Sequence, residues 1–571
     1  MKNGFRQSMA WLHTWVGLLV GWVLFTIFVM GSASYYHAPI TEWMQPERLL
    51  AARGAASVNV TDADMQAMLA QHAVVQLQRA APRASRWLVE FPDRRGTPGR
   101  IGWEHGGQFD TAPLDIVRRV GTSGNAAAAS NDATAAVTFA PAVKPRDTAG
   151  GDFFYEFHYQ LHYLPWYIGR WIVGFCAMCM LVALISGIVT HRRIFTDLFT
   201  FRPGKGQRSW LDAHNVTAVL ALPYHLTITY TGLTTIMLLL MPWGMHARYP
   251  GPEGQTRFIA DAYDFQATRA PAGIPAQLTA IAPLTRAAIR DFDGSSLRQI
   301  WIDQPGDAAA RIKFTRGADD RLSTAAQSVT FDGVTGARLS RVDPHGAAGV
   351  TAGVMSGIHQ GEFAHPALRA CFFLSGLAGA AMVATGLLMW AVKYRQKQTK
   401  AGRVRFGTHL VDYLNLMTIA GLPIAIAVYF WANRLLPADM PARASWEVRA
   451  FFLAWLLAAL HPLHPSRRAR RRTWIEAWCV ATLLFGLLPV VDRLSVGAWV
   501  MPWFDIVCVA LALLFASIAR RLSRLPTAQP RGIGKGKGKD EGTAQPVPVP
   551  APTRIAPARA RAAAHGEDAA R

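Results

Sequence analysis

The chain has 571 residues, 51% of them hydrophobic, and a formal net charge of +22. Apolar windows of about 20 residues recur along it, the length a helix needs to cross a hydrocarbon core of about 30 Å, so a soluble globular class is excluded. Nucleic-acid binding is not the reading of the positive charge, because Lys and Arg collect in alternate short loops: Arg192, Arg193, Arg202, Lys205 and Arg208, then Lys393 to Arg405, then Arg467 to Arg472. The positive-inside rule puts those loops in the cytoplasm.

Eight spans are expected: Trp15–Tyr36, Trp171–Thr190, Val216–Trp243, Cys371–Val392, Leu410–Trp431, Val448–His461, Trp474–Val491 and Ala498–Ile518. With Lys2 and Arg6 inside, an even number of crossings returns the C-terminus to the cytoplasm. The chain then divides into a first span (1–37), an outer insertion (38–152) and the second and third spans with their cytoplasmic loop (153–243). A second outer insertion (244–355), the fourth span (356–395), a four-helix membrane extension (396–522) and a basic tail (523–571) follow. Gly31-Ser32-Ala33-Ser34 resembles a signal-peptidase site, but the apolar run before it is too long for a signal core, and it reads as a retained helix.

In the first insertion Asp62–Ala73 reads as helix and Arg86–Phe91 as strand, before an Ala/Ser/Gly/Asn linker at Gly121–Ala136. In the second, Pro275–Phe292 reads as helix, and Leu297–Asp303, Ala310–Phe314 and Ser328–Phe331 read as strands. From about Pro526 the composition cannot bury a core and reads as disordered. The GKGKGK run at 534–539 belongs to that tail and is not a nucleotide site. Cys176, Cys179, Cys371, Cys479 and Cys508 all lie in apolar spans, where packing is their expected role. No CxxCH occurs, which excludes covalently attached haem, and no GxGxxG follows a strand, so no flavin or nicotinamide module is expected.

The membrane part repeats. An offset of 201 places His13 on His214, Thr26 on Thr227 and Gly31 on Gly232; an offset of 199 places Arg170 on Arg369, Gly187 on Gly386 and His191 on Trp390. Both copies enter the membrane in the same sense, giving a parallel repeat about an axis along the membrane normal. The expected fold is an all-α polytopic membrane protein with a four-helix core built from the repeat and inserted α+β modules.

His13, His158, His162, His191, His214, His225 and His359 sit at or near the ends of the first four spans. Ionisable side chains are costly at that depth, so they mark a functional site. Imidazole is a usual axial ligand of haem, and facing helices of a bundle are where such sites are built. The expectation is two b-type haems, with iron bound by His13 and His214 at the cytoplasmic end and by His162 and His359 at the outer end. Other pairings stay open: His158 is one turn from His162, His225 shares a face with His214, and His191 stands where Trp390 does in the other copy. Arg170 and Arg369, at the outer helix entrances, either snorkel to the interface or pair with haem propionates.

WLHTWVGLLVG, FHYQLHYLPWYIGRWIVG, FRPGKGQRSWLDAHN, LPYHLTITYTGL and GIHQGEFAHPALRACFFLSGLAGAAMVATGLLMW together resemble the PepSY-associated transmembrane helix family over about residues 5–395. The resemblance implies PepSY-type outer modules on the four-helix core and kinship with inner-membrane siderophore reductases that use b-type haem. The expected activity is reduction of a periplasmic ferric-siderophore or other ferric chelate, with electrons from quinol or a separate reductase. A non-enzymatic scaffold binding a periplasmic partner, or a siderophore or metal transporter, are the alternatives.

Overall fold

The computed structural model describes residues 2–51, 61–119, 137–191, 202, 204, 207–263, 269–343, 346–463 and 470–524, all within one compact unit ending at Arg524. The expected linker at 121–136, most of the basic loop at 192–206, part of the loop at 467–472 and the tail lie outside the described residues.

Helix α1 (Lys2–Ser34) runs unbroken because no Pro interrupts it and no charged residue follows Arg6. After the short α2 (His37–Met44) comes α3 (Ala63–Ala80), whose N-cap Asp62 accepts from the backbone N–H groups of Asp64 and Met65. Strands β1 (Arg86–Glu90), β2 (Arg100–His105) and β3 (Gln108–Pro113) follow, then a separate ribbon of β4 (Ile116–Arg119) and β5 (Val137–Ala140). The chain returns to the bundle through α4 (Asp152–Gln160) and α5 (Trp166–Thr190).

The expected third span is interrupted. It is α6 (Gln207–Leu220) and α7 (Leu222–Thr235), parted at Ala221. Pro223 sits in the first turn of α7, where its missing N–H cannot continue the ladder from α6, so a new helix starts just before it. The second insertion contributes α8 (Ile281–Asp291), β6 (Leu297–Asp303), β7 (Arg311–Arg316), β8 (Ser328–Asp332) and β9 (Arg338–Val342). Helices α9 (Gly346–Gln360) and α10 (Pro366–Lys400) complete the repeat. The extension is α11 (Phe406–Asn415), a π turn over Leu416–Ala420, α12 (Gly421–Leu435), α13 (Arg443–Leu460), α14 (Arg470–Val496) and α15 (Pro502–Arg524).

Among the described residues, six helical segments are long and apolar enough to cross a membrane: Gly4–Ser34, Trp166–Thr190, Pro366–Lys400, Phe406–Leu435, Arg471–Val496 and Pro502–Arg524. Two of the eight expected spans are not among these six. The third is the broken α6–α7, and the sixth is α13, whose 18 residues reach only about 27 Å. Leu19, Leu374, Leu483 and Leu513 stand exposed on these helices, an apolar surface that suits lipid and not water.

The two insertions form one domain. A single antiparallel sheet runs β3-β2-β1-β6-β7-β8-β9, joined across the insertions by β1 and β6. Arg86 pairs in register with Asp303, and its Nε lies 2.5 Å from the Asp303 carboxylate. From α3, the fully buried Gln66 accepts from Leu297 N (2.9 Å) and donates to Leu297 O (3.2 Å). Leu69, Ala73 and Leu77 of α3, Ala288 and Ile289 of α8, and Val89, Ile300, Ile312 and Val329 of the strands share one core.

Candidate cofactor site

Two pairs of histidines meet inside the four-helix core. His13 of α1 faces His214 of α6 with ring centres 6.1 Å apart. His158 of α4 faces His359 of α9, also at 6.1 Å. Both pairs are related by the 201-residue offset. The sequence placed His162 in the second pair; the structure places it elsewhere. His162 packs among Phe153, Tyr163 and Phe452, with ring centres 5.8, 4.4 and 5.4 Å away. His158, four residues earlier and inside α4, takes the position opposite His359.

One local device holds all four rings. His13 Nδ1 lies 2.8 Å from the Ala183 carbonyl of α5, and His214 Nδ1 lies 2.8 Å from the Met382 carbonyl of α10. His158 Nδ1 lies 2.9 Å from the Ile27 carbonyl of α1. His359 Nδ1 lies 3.2 Å from Thr231 Oγ1 of α7 and also bonds the Ile228 backbone. A helical carbonyl is normally screened by the side chain one turn further on. Here that residue is glycine each time: Gly187, Gly386, Gly31 and Gly232. A Cβ on Gly187 or Gly386 would come within 3.2 or 3.3 Å of the ring of His13 or His214. On Gly31 or Gly232 it would come within 2.5 or 2.8 Å of His158 or His359. The glycines therefore let each imidazole lie against a neighbouring helix and donate from Nδ1.

With Nδ1 committed as donor, Nε2 is the free lone pair, which is how outer-sphere hydrogen bonds prepare histidine to ligate a metal. At ring-centre distances of 6.1 Å, the two Nε2 atoms of each pair could share one metal. Among the described residues, no three His, Cys, Asp or Glu side chains converge as a metal cluster. Each pair thus offers two nitrogens, a donor set that fits an iron bringing its own four equatorial ligands.

The other expected residues divide. Arg170 stacks on Trp166 (4.8 Å) and Tyr159 (5.0 Å), beside His158 in sequence, and Arg369 stacks on Tyr36 at 5.2 Å. The Nε atom of each is buried with no hydrogen-bond partner. His191 caps α5 and accepts from Asn215 at 3.0 Å; it is not opposed to another histidine ring. His225 is fully buried, edge-on to Phe28 at 5.8 Å, with Nε2 3.2 Å from the Ser375 carbonyl. Among the described residues it pairs with no second histidine either. Asp212, two residues before His214, is held by Arg202 through Nε and Nη2 at 2.9 Å each. Cys176 and Cys179 are free thiols, and Cys176 packs with Val20, Leu24 and Met180.

The family model for the PepSY-associated TM region matches residues 10–393. The chain belongs to that family. The PepSY-associated region thus contains all four paired histidines and ends inside α10, and the extension from α11 onward lies beyond it. The chain is also similar to an uncharacterized protein of Pseudomonas aeruginosa, 24% identical over 406 residues, which covers 64% of this chain and 94% of that protein.

Proposed function

We propose that the protein is a transmembrane electron carrier with two b-type haems that reduces a ferric-siderophore or another ferric chelate outside the inner membrane. The observation that carries this reading is the pair of repeat-related histidine couples, each at 6.1 Å with its Nδ1 atoms already engaged. His13 with His214 would hold one haem and His158 with His359 the other. Along α1, His13 and the Ile27 carbonyl that anchors His158 are 14 residues apart, about 21 Å of helix, so the two sites lie in series across the membrane. Haem supplies a one-electron couple at each site. The chain fixes the ligand rings, surrounds them with apolar helix faces that exclude water, and offers Arg170 and Arg369 near the outer pair for propionates.

The eight-crossing arrangement belongs to the same reading. With α6–α7 as a broken third crossing and α13 as a short sixth, both termini lie on the Lys/Arg-rich cytoplasmic side, and the seven-stranded sheet lies in the periplasm, where it would present the chelate to the outer haem. No acid or base is needed for electron transfer to ferric iron; the electrons come from quinol or a separate reductase.

The test is a spectrum of the purified protein. A Soret band with a dithionite-reducible α band, at about two haems per chain, is expected. Protein free of haem after expression with haem supplementation would overturn the reading and leave the scaffold and transporter alternatives. The His158→Ala variant should lose one haem, whereas His162→Ala should keep both.

A further inference from the structure

His191 and Trp390 occupy matching positions in the two copies of the repeat, each four residues beyond a glycine that seats a histidine of the same pair: Gly187 for His13 and Gly386 for His214. Each carries a buried ring nitrogen without a hydrogen-bond partner, Nδ1 of His191 and Nε1 of Trp390. Asn215 Nδ2 lies 3.0 Å from His191 Nε2. An amide nitrogen only donates, so Nε2 accepts and the proton of the neutral ring sits on Nδ1. The indole nitrogen only donates as well. Both orphans are therefore donors lacking an acceptor, and a buried donor is rarely left so. Two of them at repeat-equivalent positions, one turn outward from the two rings of a single pair, point to a shared cause. Asp212, two residues before His214, is engaged through both oxygens by Arg202.

We propose that His191 Nδ1–H and Trp390 Nε1–H are the two hydrogen-bond donors to the carboxylates of the haem held by His13 and His214. This rests on the haem reading above. It gives the repeat a chemical symmetry at both ends: two arginine Nε donors flank the His158–His359 pair, and two neutral ring donors flank the His13–His214 pair. It also explains why a histidine in one copy is matched by tryptophan in the other. The shared requirement is a neutral N–H at that depth, and a second iron ligand is not needed there.

The test uses the full chain carrying His359→Ala, so that only the His13–His214 site loads, stripped of haem and titrated by its Soret band with haem or with haem dimethyl ester, in which both carboxylates are blocked. The parent background is expected to bind haem about tenfold more tightly than the ester, the loss of two buried hydrogen bonds. Adding His191→Phe and Trp390→Phe is expected to weaken haem binding by about that factor and leave the ester unchanged, which also shows that the variant still folds. Equal binding of haem and ester in the parent background would overturn the proposal. So would a variant that weakens both ligands equally, since that marks a structural role. If haem discrimination is unaltered in the variant while binding of phosphatidylglycerol, followed by native mass spectrometry, is lost, the acceptor is a lipid phosphate and the proposal fails. A parent chain that binds neither porphyrin sinks the haem reading itself, and is distinguished from the other failures by the absence of any Soret shift.

Discussion

A histidine that binds iron through Nε2 needs its ring pinned from the other nitrogen, and in a membrane helix the nearest acceptor is a backbone carbonyl that is already engaged. Glycine one turn on makes that carbonyl reachable, because no Cβ covers it. The four seats differ in tightness, and the difference predicts a graded outcome. Gly31→Ala and Gly232→Ala place a methyl 2.5 and 2.8 Å from the rings of His158 and His359. Each should lower haem at that site by about half or more, since interiors packed this closely do not absorb such overlaps. Gly187→Ala and Gly386→Ala, at 3.2 and 3.3 Å, should keep both haems with only a shifted low-spin EPR signal. Haem per chain and EPR of the purified variants check this.

At the scale of elements, the extension beyond the family region is fastened to the core by buried charge. Arg434 of α12 and Asp492 of α14 are fully buried, 2.5 Å apart, with Arg434 stacked at 3.6 Å on Trp43 of α2 and donating to the Trp43 carbonyl. Arg443 and Glu447 of α13 form a second buried pair, and Glu447 also receives Asn433 Nδ2 (2.7 Å) and Thr148 Oγ1 (2.6 Å). Removing one partner strands the other charge in an apolar setting, so Arg434→Met should destabilise the chain by about 3–5 kcal/mol. Arg434→Met with Asp492→Leu should recover most of that loss. Thermal unfolding of the detergent-solubilised proteins gives both numbers, and equal losses in the single and double variants would contradict the argument. The π turn before Gly421 has a local reason too: one extra residue in the turn frees the Met417 carbonyl, which receives Trp455 Nε1 at 3.0 Å.

At the scale of the whole molecule, the two insertions are halves of one sheet although separated in sequence by α4 to α7. Pairing β1 with β6 removes an edge from each half, and unpaired edges are a liability that proteins cover. Glu90 and Gln299 are direct partners across that seam. Directly opposed residues of an antiparallel pair have Cβ atoms about 5 Å apart, so the double variant Glu90→Cys and Gln299→Cys should form a disulfide on oxidation of intact protein. Mass spectrometry of the digest should find the linked peptide, and its absence would place the seam elsewhere. Because the sheet joins both insertions, it also links the C-terminal ends of α1 and α7 to the N-terminal ends of α4 and α9, the helices that carry His158 and His359.

Apolar length, the parallel repeat and the clustering of histidine were legible in the sequence, because each is a property of spacing along one helix and spacing survives whatever the helices pack against. Four of the strands were legible too, Leu297–Asp303, Ala310–Phe314 and Ser328–Phe331 by alternation and Arg86–Phe91 as a strand-like run, whereas β2, β3, β4, β5 and β9 were not read from the sequence. The Ser186-Gly187, Thr231-Gly232, Thr385-Gly386 and Met30-Gly31 dipeptides carried the signal for the histidine seats, and the repeat offsets already aligned the glycines, but a glycine names its partner only when another helix is laid against it. The choice of His158 over His162 depended on where α4 stops: the helix ends at Gln160 and Leu161 turns away at φ 60, so His162 does not continue the face that carries His158, and Phe153, Tyr163 and Phe452 gather it into an aromatic cluster. Fusion of the two insertions depended on pairing strands about 200 residues apart, which no local pattern encodes. Local periodicity settled which segments become helix, strand or span; contacts between distant segments settled which rings face each other, and that is where the chemistry lies.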